Sequence, residues 1–316
     1  MSWKNSRCVV TGGAGFIGSH IAQTLAQNGA QVTIIDNLST GRRSNLESLL
    51  PLGVNFVEGS ILDSNVLDEA FINVEYVFHQ AAFVSVPRSL VEPKLCCEVN
   101  VTGTLNVLEA SRHAGVKKVV YAASSSVYGE TPKLPKVETM HPSPLSPYAI
   151  SKLTGENYCT VYNSVYNLPT TSLRYFNIYG PRQDPSSQYA AVIPNFITSA
   201  INGDSPIIYG DGRQSRDFTF VSDAVQANLK AALSPRANGK VINVAGGRQT
   251  TINDLAKIII KQFGIKELDL VHKRSRQGDI RHSLADISIG QEIIGYEPQY
   301  SLEKGIRETV KYFNQN

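Results

Sequence analysis

The 316-residue chain has few cysteines, almost no net charge and no long apolar run, and each shortage excludes a class of protein. No uninterrupted apolar segment reaches membrane-spanning length, and the first residues, Met-Ser-Trp-Lys-Asn-Ser-Arg, lack the apolar stretch of a signal peptide. Thirty basic residues against 27 acidic ones give a net charge of +3. Because the basic residues are scattered, we expect a cytoplasmic protein that binds neither nucleic acid nor a membrane.

The four cysteines do not have the spacing of a zinc site, and a reducing compartment would keep them as thiols. They are Cys8, Cys96, Cys97 and Cys159. We interpret them as packing residues, and we expect no metal site.

Apolar runs and helical periodicity alternate through the first half of the chain, which predicts a doubly wound parallel α/β sheet. The predicted strands are Arg7–Thr11, Gln31–Asp36, Asn55–Glu58, Glu75–His79, Lys118–Ala123, Thr170–Arg174 and Lys240–Ala245. The predicted helices include Phe16–Asn28, Cys96–Ala114, Pro147–Tyr166 and Asn253–Phe263, the last capped by Asn253.

Two lobes are predicted from the change in pattern after residue 176, where the elements become shorter and richer in Pro and Gly. Residues 1–176 with about 222–247 would form the larger dinucleotide-binding domain. Residues of about 177–221 with 248–316 would form a smaller α/β lobe. The cleft between them would face the carboxyl ends of the strands.

A glycine-rich loop joins the first predicted strand to the first helix. It contains Gly12, Gly13, Gly15 and Gly18, which allow a tight turn and a close approach of the backbone to a pyrophosphate. Asp36 ends the second strand, where a carboxylate binds a ribose 2′-hydroxyl and repels a 2′-phosphate. This favours NAD over NADP. The nearby Arg42 and Arg43 could serve a phosphate, but we interpret them as residues of a solvated loop.

Tyr148 and Lys152 are four residues apart at the start of a predicted helix, so their side chains share one face. Ser146 is a suitable N-cap and Pro147 a suitable first residue. Lowering a tyrosine pKa from about 10 to about 7 requires roughly 4 kcal/mol, and one ammonium about 4 Å away supplies on the order of that at an effective dielectric of 20. A bound oxidised nicotinamide adds its positive charge, so we expect Lys152 and the cofactor together to suffice. Ser124 follows a buried strand, at the edge where the dinucleotide would bind.

Together these motifs make the chain resemble the extended short-chain dehydrogenase/reductase family, with its Rossmann fold. Within that family it is similar to the UDP-hexose 4-epimerases, especially those acting on UDP-N-acetylglucosamine. The resemblance covers nearly the whole chain and includes His79-Gln80-Ala81-Ala82, Asn100-Val101-Thr102-Gly103-Thr104, Arg174-Tyr175-Phe176-Asn177 and the segment Gly278–Asp286.

The resemblance implies bound NAD, catalysis by Tyr148, Lys152 and Ser124, and a 4-keto sugar intermediate. The implied cofactor-binding residues, besides Tyr148 and Lys152, are Gly12, Gly15, Phe16, Ile17, Gly18, Asp36, Asn37, Ser39, Thr40, Gly41, Ser60, Ile61, Gln80, Ala81, Ala82, Asn100 and Tyr175. The implied substrate-binding residues, besides Ser124 and Tyr148, are Ser85, Ser125, Ser126, Asn177, Ala191, Val192, Tyr209, Arg216, Arg276, Asp279 and Ser283. Many relatives have an adenine-binding aspartate where this chain has Ser60.

Ser283 stands where a bulky tyrosine excludes an N-acetyl group in some of these epimerases. A serine there implies that both acetylated and plain UDP-hexoses are accepted, although it could also be a small loop residue without a discriminating role. The resemblance also implies a homodimer, formed by the helices Cys96–Ala114 and Pro147–Tyr166.

Sugar 4,6-dehydratases and UDP-glucuronate decarboxylases share the fold and the Tyr–Lys pair, and they are the alternatives. They use carboxylates next to the first active-site hydroxyl residue, whereas here no Asp or Glu occurs between Ser124 and Gly129. A third alternative, a non-catalytic NAD-sensing scaffold, is disfavoured because both Tyr148 and Lys152 are present.

Overall fold

A computed structural model of the chain describes residues 3–185, 191–264, 270–274 and 280–315. The strands in these residues are β1 (Arg7–Thr11), β2 (Gln31–Asp36), β3 (Asn55–Glu58), β4 (Tyr76–His79), β5 (Lys118–Ser124), β6 (Thr170–Tyr175), β7 (Ile178–Tyr179), β8 (Ile207–Tyr209), β9 (Ser215–Asp217), β10 (Thr219–Phe220), β11 (Lys240–Val244), β12 (Gln249–Thr251) and β13 (Val271–Lys273). The α-helices are α1 (Phe16–Gln27), α2 (Arg43–Glu47), α3 (Ser64–Ala70), α4 (Val86–Val91), α5 (Pro93–Cys97), α6 (Gly103–His113), α7 (Pro147–Val165), α8 (Val192–Asn202), α9 (Val221–Leu233), α10 (Ile252–Gln262), α11 (Ser288–Ile294) and α12 (Leu302–Phe313).

Seven of these strands form one central sheet, in the order β11-β6-β5-β4-β1-β2-β3. Every neighbouring pair is parallel. The order of the first six strands is that of a Rossmann sheet, with the topological switch between β1 and β4. The predicted fold class is confirmed, and β11 returns to the edge of the main sheet, next to β6.

Helices cover both faces of this sheet. On one face, Ile21 and Leu25 of α1 pack in a core with Ala224 and Ala231 of α9. On the other face, a second core is formed by α3, α6 and α7 and contains the buried thiol of Cys159. No helix in the described ranges is long and apolar enough to cross a membrane.

The helix predicted for Cys96–Ala114 is interrupted in the structure. A five-residue π-helical segment, Glu98–Thr102, separates α5 from α6. Asn100 lies in this segment, and its amide bonds to both backbone groups of Phe83 on the loop after β4. The wider π-helical turn therefore lets the Asn100 side chain form hydrogen bonds with the loop after β4. Such segments often occur at functional sites.

The predicted cap of the helix near residue 253 was also wrong. Helix α10 begins at Ile252, and Thr251 is its N-cap, because the Thr251 hydroxyl accepts a hydrogen bond from the Asp254 amide at 3.1 Å. Asn253 instead donates its side-chain amide to the carbonyl of Asp211 at 3.1 Å. At the start of α7, by contrast, Ser146 caps the helix as predicted and accepts from the Ala149 amide at 3.1 Å.

The later part of the chain adds a separate apolar core and three two-stranded sheets. Residues of α8, α10 and α12, including Phe196, Leu255 and Ile306, form this core. The small sheets pair β7 with β10, β9 with β12, and β8 with β13. The domain boundaries proposed from the sequence stay a prediction.

Asp217, at the end of β9, joins three segments of the chain. Its side chain is fully buried, and Oδ2 accepts a hydrogen bond from the Ala285 amide at 3.1 Å. Burial raises the pKa of Asp217 to about 7, against the opposing effect of backbone N–H groups of residues 246–248 and 285. The carboxylate thus ties the segment around residue 285 to β9 and lies against the loop after β11.

We expect Asp217 to make the stability of the protein depend on pH. An aspartate in an unfolded chain titrates near 4, so between about pH 4 and 7 the folded protein holds a proton that the unfolded chain has released. The free energy of unfolding should therefore fall as the pH rises through this window. The variant Asp217→Asn removes this component.

Denaturant titrations of both proteins at several values from pH 4 to 8 measure the effect. The stability of wild type relative to Asp217→Asn should decrease with rising pH, and a difference that is independent of pH would contradict the assignment. Asp204→Asn, at an exposed aspartate, is the control.

Candidate active site

The glycine-rich loop between β1 and α1 is shaped so that side chains cannot be added to it. A Cβ on Gly12, which has a φ of 68°, would lie 2.6 Å from the Ala81 amide nitrogen. A Cβ on Gly18 would lie 2.2 Å from the carbonyl oxygen of Gly12. Gly15 is the N-cap of the 12-residue helix α1, and no side chain caps this end. The loop therefore offers bare backbone and helix N–H groups, as an anion such as a diphosphate requires.

Asp36 lies beside this loop, at the carboxyl end of β2. Its carboxylate accepts hydrogen bonds from the amides of Ala14 at 3.0 Å and Leu38 at 2.8 Å. Burial raises the pKa of Asp36, and these backbone N–H groups lower it. Gly41 packs on the carboxylate, since a Cβ there would lie 2.7 Å from Asp36 Oδ1.

The other predicted adenosine-side residues lie on the loops that follow β2 and β3. Asn37, Ser39 and Thr40 are exposed, and Asn37 Oδ1 accepts from the Ser39 amide at 3.2 Å. The Ser60 hydroxyl accepts a hydrogen bond from the Leu62 amide at 3.1 Å, which stabilises the turn that begins at Ser60. Ile61 is buried.

The ends of β4 and β6 are joined by a closed ring of three hydrogen bonds. The Tyr175 hydroxyl donates to Gln80 Oε1 at 3.1 Å, and Gln80 Nε2 donates to Asn228 Oδ1 at 3.3 Å. Asn228 Nδ2 completes the ring with a 2.7 Å bond to the Tyr175 hydroxyl. The sequence reasoning missed Asn228. Its signal was a polar residue four positions from both Ala224 and Ala232 on the apolar face of α9.

Asn100 fixes the predicted cofactor loop after β4 to helix α7. Besides its two bonds to Phe83, its Nδ2 donates to the Ser151 hydroxyl at 2.9 Å. Ala81 and Ala82 lie on the held loop, and Ser85 at its end caps α4 by accepting from the Arg88 amide at 3.1 Å. The loop is thus anchored to the helix that carries Tyr148 and Lys152.

Ser124, Tyr148 and Lys152 are brought together at the carboxyl end of β5. Ser124 is the last residue of the strand, and Tyr148 is the second residue of α7. The Lys152 ammonium is buried and donates to the carbonyl of Ala122, two residues before Ser124, at 2.9 Å. It also lies 5.2 Å from the ring centroid of Tyr121, within cation–π distance.

Burial shifts the pKa values of both Tyr148 and Lys152. Burial raises the pKa of Tyr148, and a hydrogen bond with Ser124 lowers it. Burial also lowers the pKa of Lys152 to about 8, so the ammonium still predominates at neutral pH. The prediction that Lys152 together with the oxidised nicotinamide lowers the tyrosine pKa stays a prediction, because these shifts describe the protein without its cofactor.

The other two predicted serines follow Ser124 in a short 3₁₀ turn, Ser125–Tyr128. The Ser126 amide donates to the Ser124 hydroxyl at 3.2 Å. Within the described part of the chain, the buried hydroxyl of Ser126 has no hydrogen-bond partner. A buried hydroxyl without a partner is costly, which favours a polar ligand at this place.

The predicted substrate residues of the later segments are grouped around β9. Asn177 donates its amide to the carbonyl of Asp217 at 2.9 Å, and the Ser283 amide donates to the carbonyl of Ser215 at 3.0 Å. Arg216, between these two carbonyls, donates to the Ser215 carbonyl at 2.9 Å. Sequence reasoning missed the joining role of Asp217, because its partners are backbone amides distant in the chain.

Three further residues of this set lie at the ends of other elements. Ala191 and Val192 begin α8, and Tyr209 ends β8 with its carbonyl accepting from Gln214 at 2.6 Å. The predicted residues Arg276 and Asp279 lie outside the described residues. Among the residues that the structure describes, no cluster of three or more potential metal ligands occurs.

These features fit a bound dinucleotide. The bare glycine loop suits its pyrophosphate, and the buried carboxylate of Asp36 suits a ribose hydroxyl. Ser124, Tyr148 and Lys152 lie at the same edge of the sheet, because β4, β5 and β6 all end there.

Comparison with known proteins agrees with this geometry. The sequence profile of the NAD dependent epimerase/dehydratase family matches residues 8–245. A UDP-glucose 4-epimerase of Mycolicibacterium smegmatis is 39% identical over 310 residues, which are 97% of this chain and 98% of that protein. A UDP-N-acetyl-alpha-D-glucosaminuronate decarboxylase of Bacillus cytotoxicus is 38% identical over 320 residues, 98% of each.

The fold also matches solved structures over its whole length. The UDP-N-acetylglucosamine 4-epimerase from Methanobrevibacter ruminantium, solved with UDP-N-acetylmuramic acid, superposes with a TM-score of 0.95. It is 43% identical, and the match covers 99% of both chains. The profile of a family that depends on NAD matches most of the chain, so the cofactor is NAD. This chain belongs to the NAD dependent epimerase/dehydratase family.

Proposed function

We propose that the chain is a UDP-hexose 4-epimerase that accepts UDP-N-acetylglucosamine and UDP-N-acetylgalactosamine as well as UDP-glucose and UDP-galactose. The observation that carries the proposal is the group Ser124, Tyr148 and Lys152, which places a serine at the end of β5 and a tyrosine at the start of α7 beside a buried ammonium. The hydroxyl residues Ser125 and Ser126 follow directly, and no carboxylate occurs in that stretch.

In this proposal Tyr148 is the general base and acid. It accepts the proton of the sugar C4 hydroxyl and later returns a proton to the same oxygen. Ser124, whose hydroxyl lowers the pKa of Tyr148, holds O4 and relays the proton. The buried Lys152 ammonium favours the phenolate through its charge and is held in place by the Ala122 carbonyl.

NAD, when bound, accepts the C4 hydride and supplies it again to the opposite face of the keto sugar. The residues that would hold the dinucleotide are the glycines of the loop at its pyrophosphate and Asp36 at its ribose. The loop residues 80–82 and the side chain of Tyr175 would lie along the rest of the cofactor.

The UDP-sugar would lie across the strand ends, against the segments grouped around β9. Asn177 and Arg216 would contact the UDP and the sugar. The resemblance implies the same contacts for Arg276 and Asp279. Ser85, Ser125 and Ser126 would line the hexose, and the unpartnered hydroxyl of Ser126 would gain a partner there.

The alternative is decarboxylation or 4,6-dehydration of a nucleotide sugar, because a decarboxylase is as similar to this chain as the epimerases are. Both alternatives start with the same oxidation at C4 and then need an acid or base acting at C5 or C6. The serine triplet offers no such carboxylate. Incubation with UDP-N-acetylglucosamine should give UDP-N-acetylgalactosamine, whereas a 4-keto-6-deoxy product would favour dehydration.

The variant Tyr148→Phe tests the role of the phenol. Loss of a general acid–base group lowers kcat by about 10²–10⁴-fold, and we expect a loss in this range with bound NAD and thermal stability retained. Tyr166→Phe, at an exposed tyrosine just beyond the same helix, should keep full activity. Activity of Tyr148→Phe within tenfold of wild type would refute this assignment.

The variant Ser283→Tyr tests the proposed tolerance for the N-acetyl group. The larger side chain should reduce kcat/KM for UDP-N-acetylglucosamine at least about tenfold and leave that for UDP-glucose nearly unchanged, since only one substrate needs the space. Ser283→Ala should keep both activities. If Ser283→Tyr uses UDP-N-acetylglucosamine as well as wild type does, Ser283 has no role in selection.

We also propose that the protein is a homodimer through α7 and the segment from α5 to α6. Ile150, Val161 and Val165 form an exposed apolar stripe along α7, with 44–62% of each side chain accessible. Light scattering should give twice the mass of one chain, and Val161→Glu with Val165→Glu should give monomers. Ile72→Glu, at an exposed apolar residue elsewhere, should not. A monomeric wild type would exclude the dimer.

A further inference from the structure

Two carboxylates end neighbouring strands at the adenosine side of the cofactor site. Strands β2 and β3 pair in parallel with Asp36 opposite Glu58. Asp36 is buried against the glycine-rich loop, whereas the Glu58 side chain is half exposed. The site thus has a second acid beside the one that faces the ribose.

Two arginines begin close to these acids. Gly41 packs directly on the Asp36 carboxylate, and Arg42 and Arg43 follow it. The Arg42 amide donates to the Ala14 carbonyl at 3.0 Å, and Ala14 donates its own amide to Asp36. Both arginine side chains therefore start within reach of a ribose held by Asp36. Arginine at such a place is what accommodates a 2′-phosphate in NADP-binding proteins.

In this structure each of the two guanidinium groups is engaged by an acid. Arg43 forms an ion pair with Glu58, and Arg42 forms one with Asp184 on the loop after β7. Glu58 and Asp184 thus pair with the two guanidinium groups, while the carboxylate of Asp36 accepts from the backbone amides of Ala14 and Leu38. Such half-exposed ion pairs add little to the stability of the fold. They do fix the positions of the two guanidinium groups, next to Asp184 and Glu58.

We propose that Glu58 and Asp184 are specificity residues that, together with Asp36, make the site select NAD over NADP. They act by holding Arg43 and Arg42 away from the ribose 2′ position and by neutralising their charge. A chain with the same arginines but without these two acids would offer a 2′-phosphate two cationic partners. This proposal concerns the cofactor and does not depend on which sugar is converted.

The expected size of the effect follows from the charges. Removing one carboxylate about 8 Å from a doubly charged phosphate in water changes the relative affinity for NADP by roughly threefold to tenfold. The double variant Glu58→Gln with Asp184→Asn should raise the ratio of bound NADP to bound NAD by about tenfold or more. Because the effect is electrostatic and near the surface, 0.5 M salt should remove most of the increase in the ratio of bound NADP to bound NAD.

The test is competition between the two cofactors, read without any assay of activity. The purified holoprotein is equilibrated with equal excesses of NAD and NADP and then denatured, and the released nucleotides are quantified. Wild type should contain NAD almost alone, and each single variant should lie between it and the double variant. Glu292→Gln, which removes the acid of the exposed Arg236–Glu292 pair, should behave as wild type.

A further variant, with four substitutions, distinguishes the proposed cause from general loss of negative charge. Adding Arg42→Ala and Arg43→Ala to the double variant should abolish the gain in NADP. An unchanged nucleotide ratio in a folded double variant would overturn the proposal, and so would a gain that persists without the arginines. Thermal unfolding of each variant shows that it is folded.

Discussion

The candidate site depends on one constraint, namely that all seven strands of the central sheet run in the same direction. Their carboxyl ends therefore meet at one edge, and each delivers a different element of the site there. Strand β1 leads into the glycine loop, β2 ends in Asp36, β5 ends in Ser124 and β6 ends in Tyr175. These residues are distant in sequence, and only the parallel order makes them neighbours. The serine, tyrosine and lysine thus come to lie beside the place of the dinucleotide.

Burial of polar groups is the second condition, and the structure meets it with hydrogen bonds. The ammonium of Lys152 is buried but bonded to the Ala122 carbonyl, and Asn100 satisfies both backbone groups of Phe83. Burial opposes ionisation of Tyr148, so the phenol by itself is a poor base. The positive charge of the oxidised nicotinamide would act in the opposite sense. The ionised form that accepts a proton would then be favoured when the oxidised cofactor is bound, which would link proton transfer to the redox state.

Much of this arrangement could be predicted from the sequence, because its signals are local. Continuous apolar runs gave the strands nearly to the residue, as for Arg7–Thr11, and Ser146 was recognised as a cap from its place before Pro147. What could not be predicted depends on contacts between distant segments. The roles of Asn228 and Asp217 depend on such partners, and so does the π-segment that turns Asn100 toward Phe83. Likewise, the partners of Arg42 and Arg43 lie on other segments, so their engagement by acids becomes visible only in the folded chain.

The central claim is that the chemistry is confined to C4 of the sugar. In an epimerisation the hydride that leaves C4 returns to C4, and only the hydroxyl proton exchanges with water. In 4,6-dehydration, and in decarboxylation of a uronic acid, C5 takes up a solvent proton. The most direct test is therefore to convert UDP-N-acetylglucosamine in D₂O and to examine the product by NMR and mass spectrometry. We expect UDP-N-acetylgalactosamine without deuterium on any carbon. Deuterium at C5 or C6, in any product, would contradict the account.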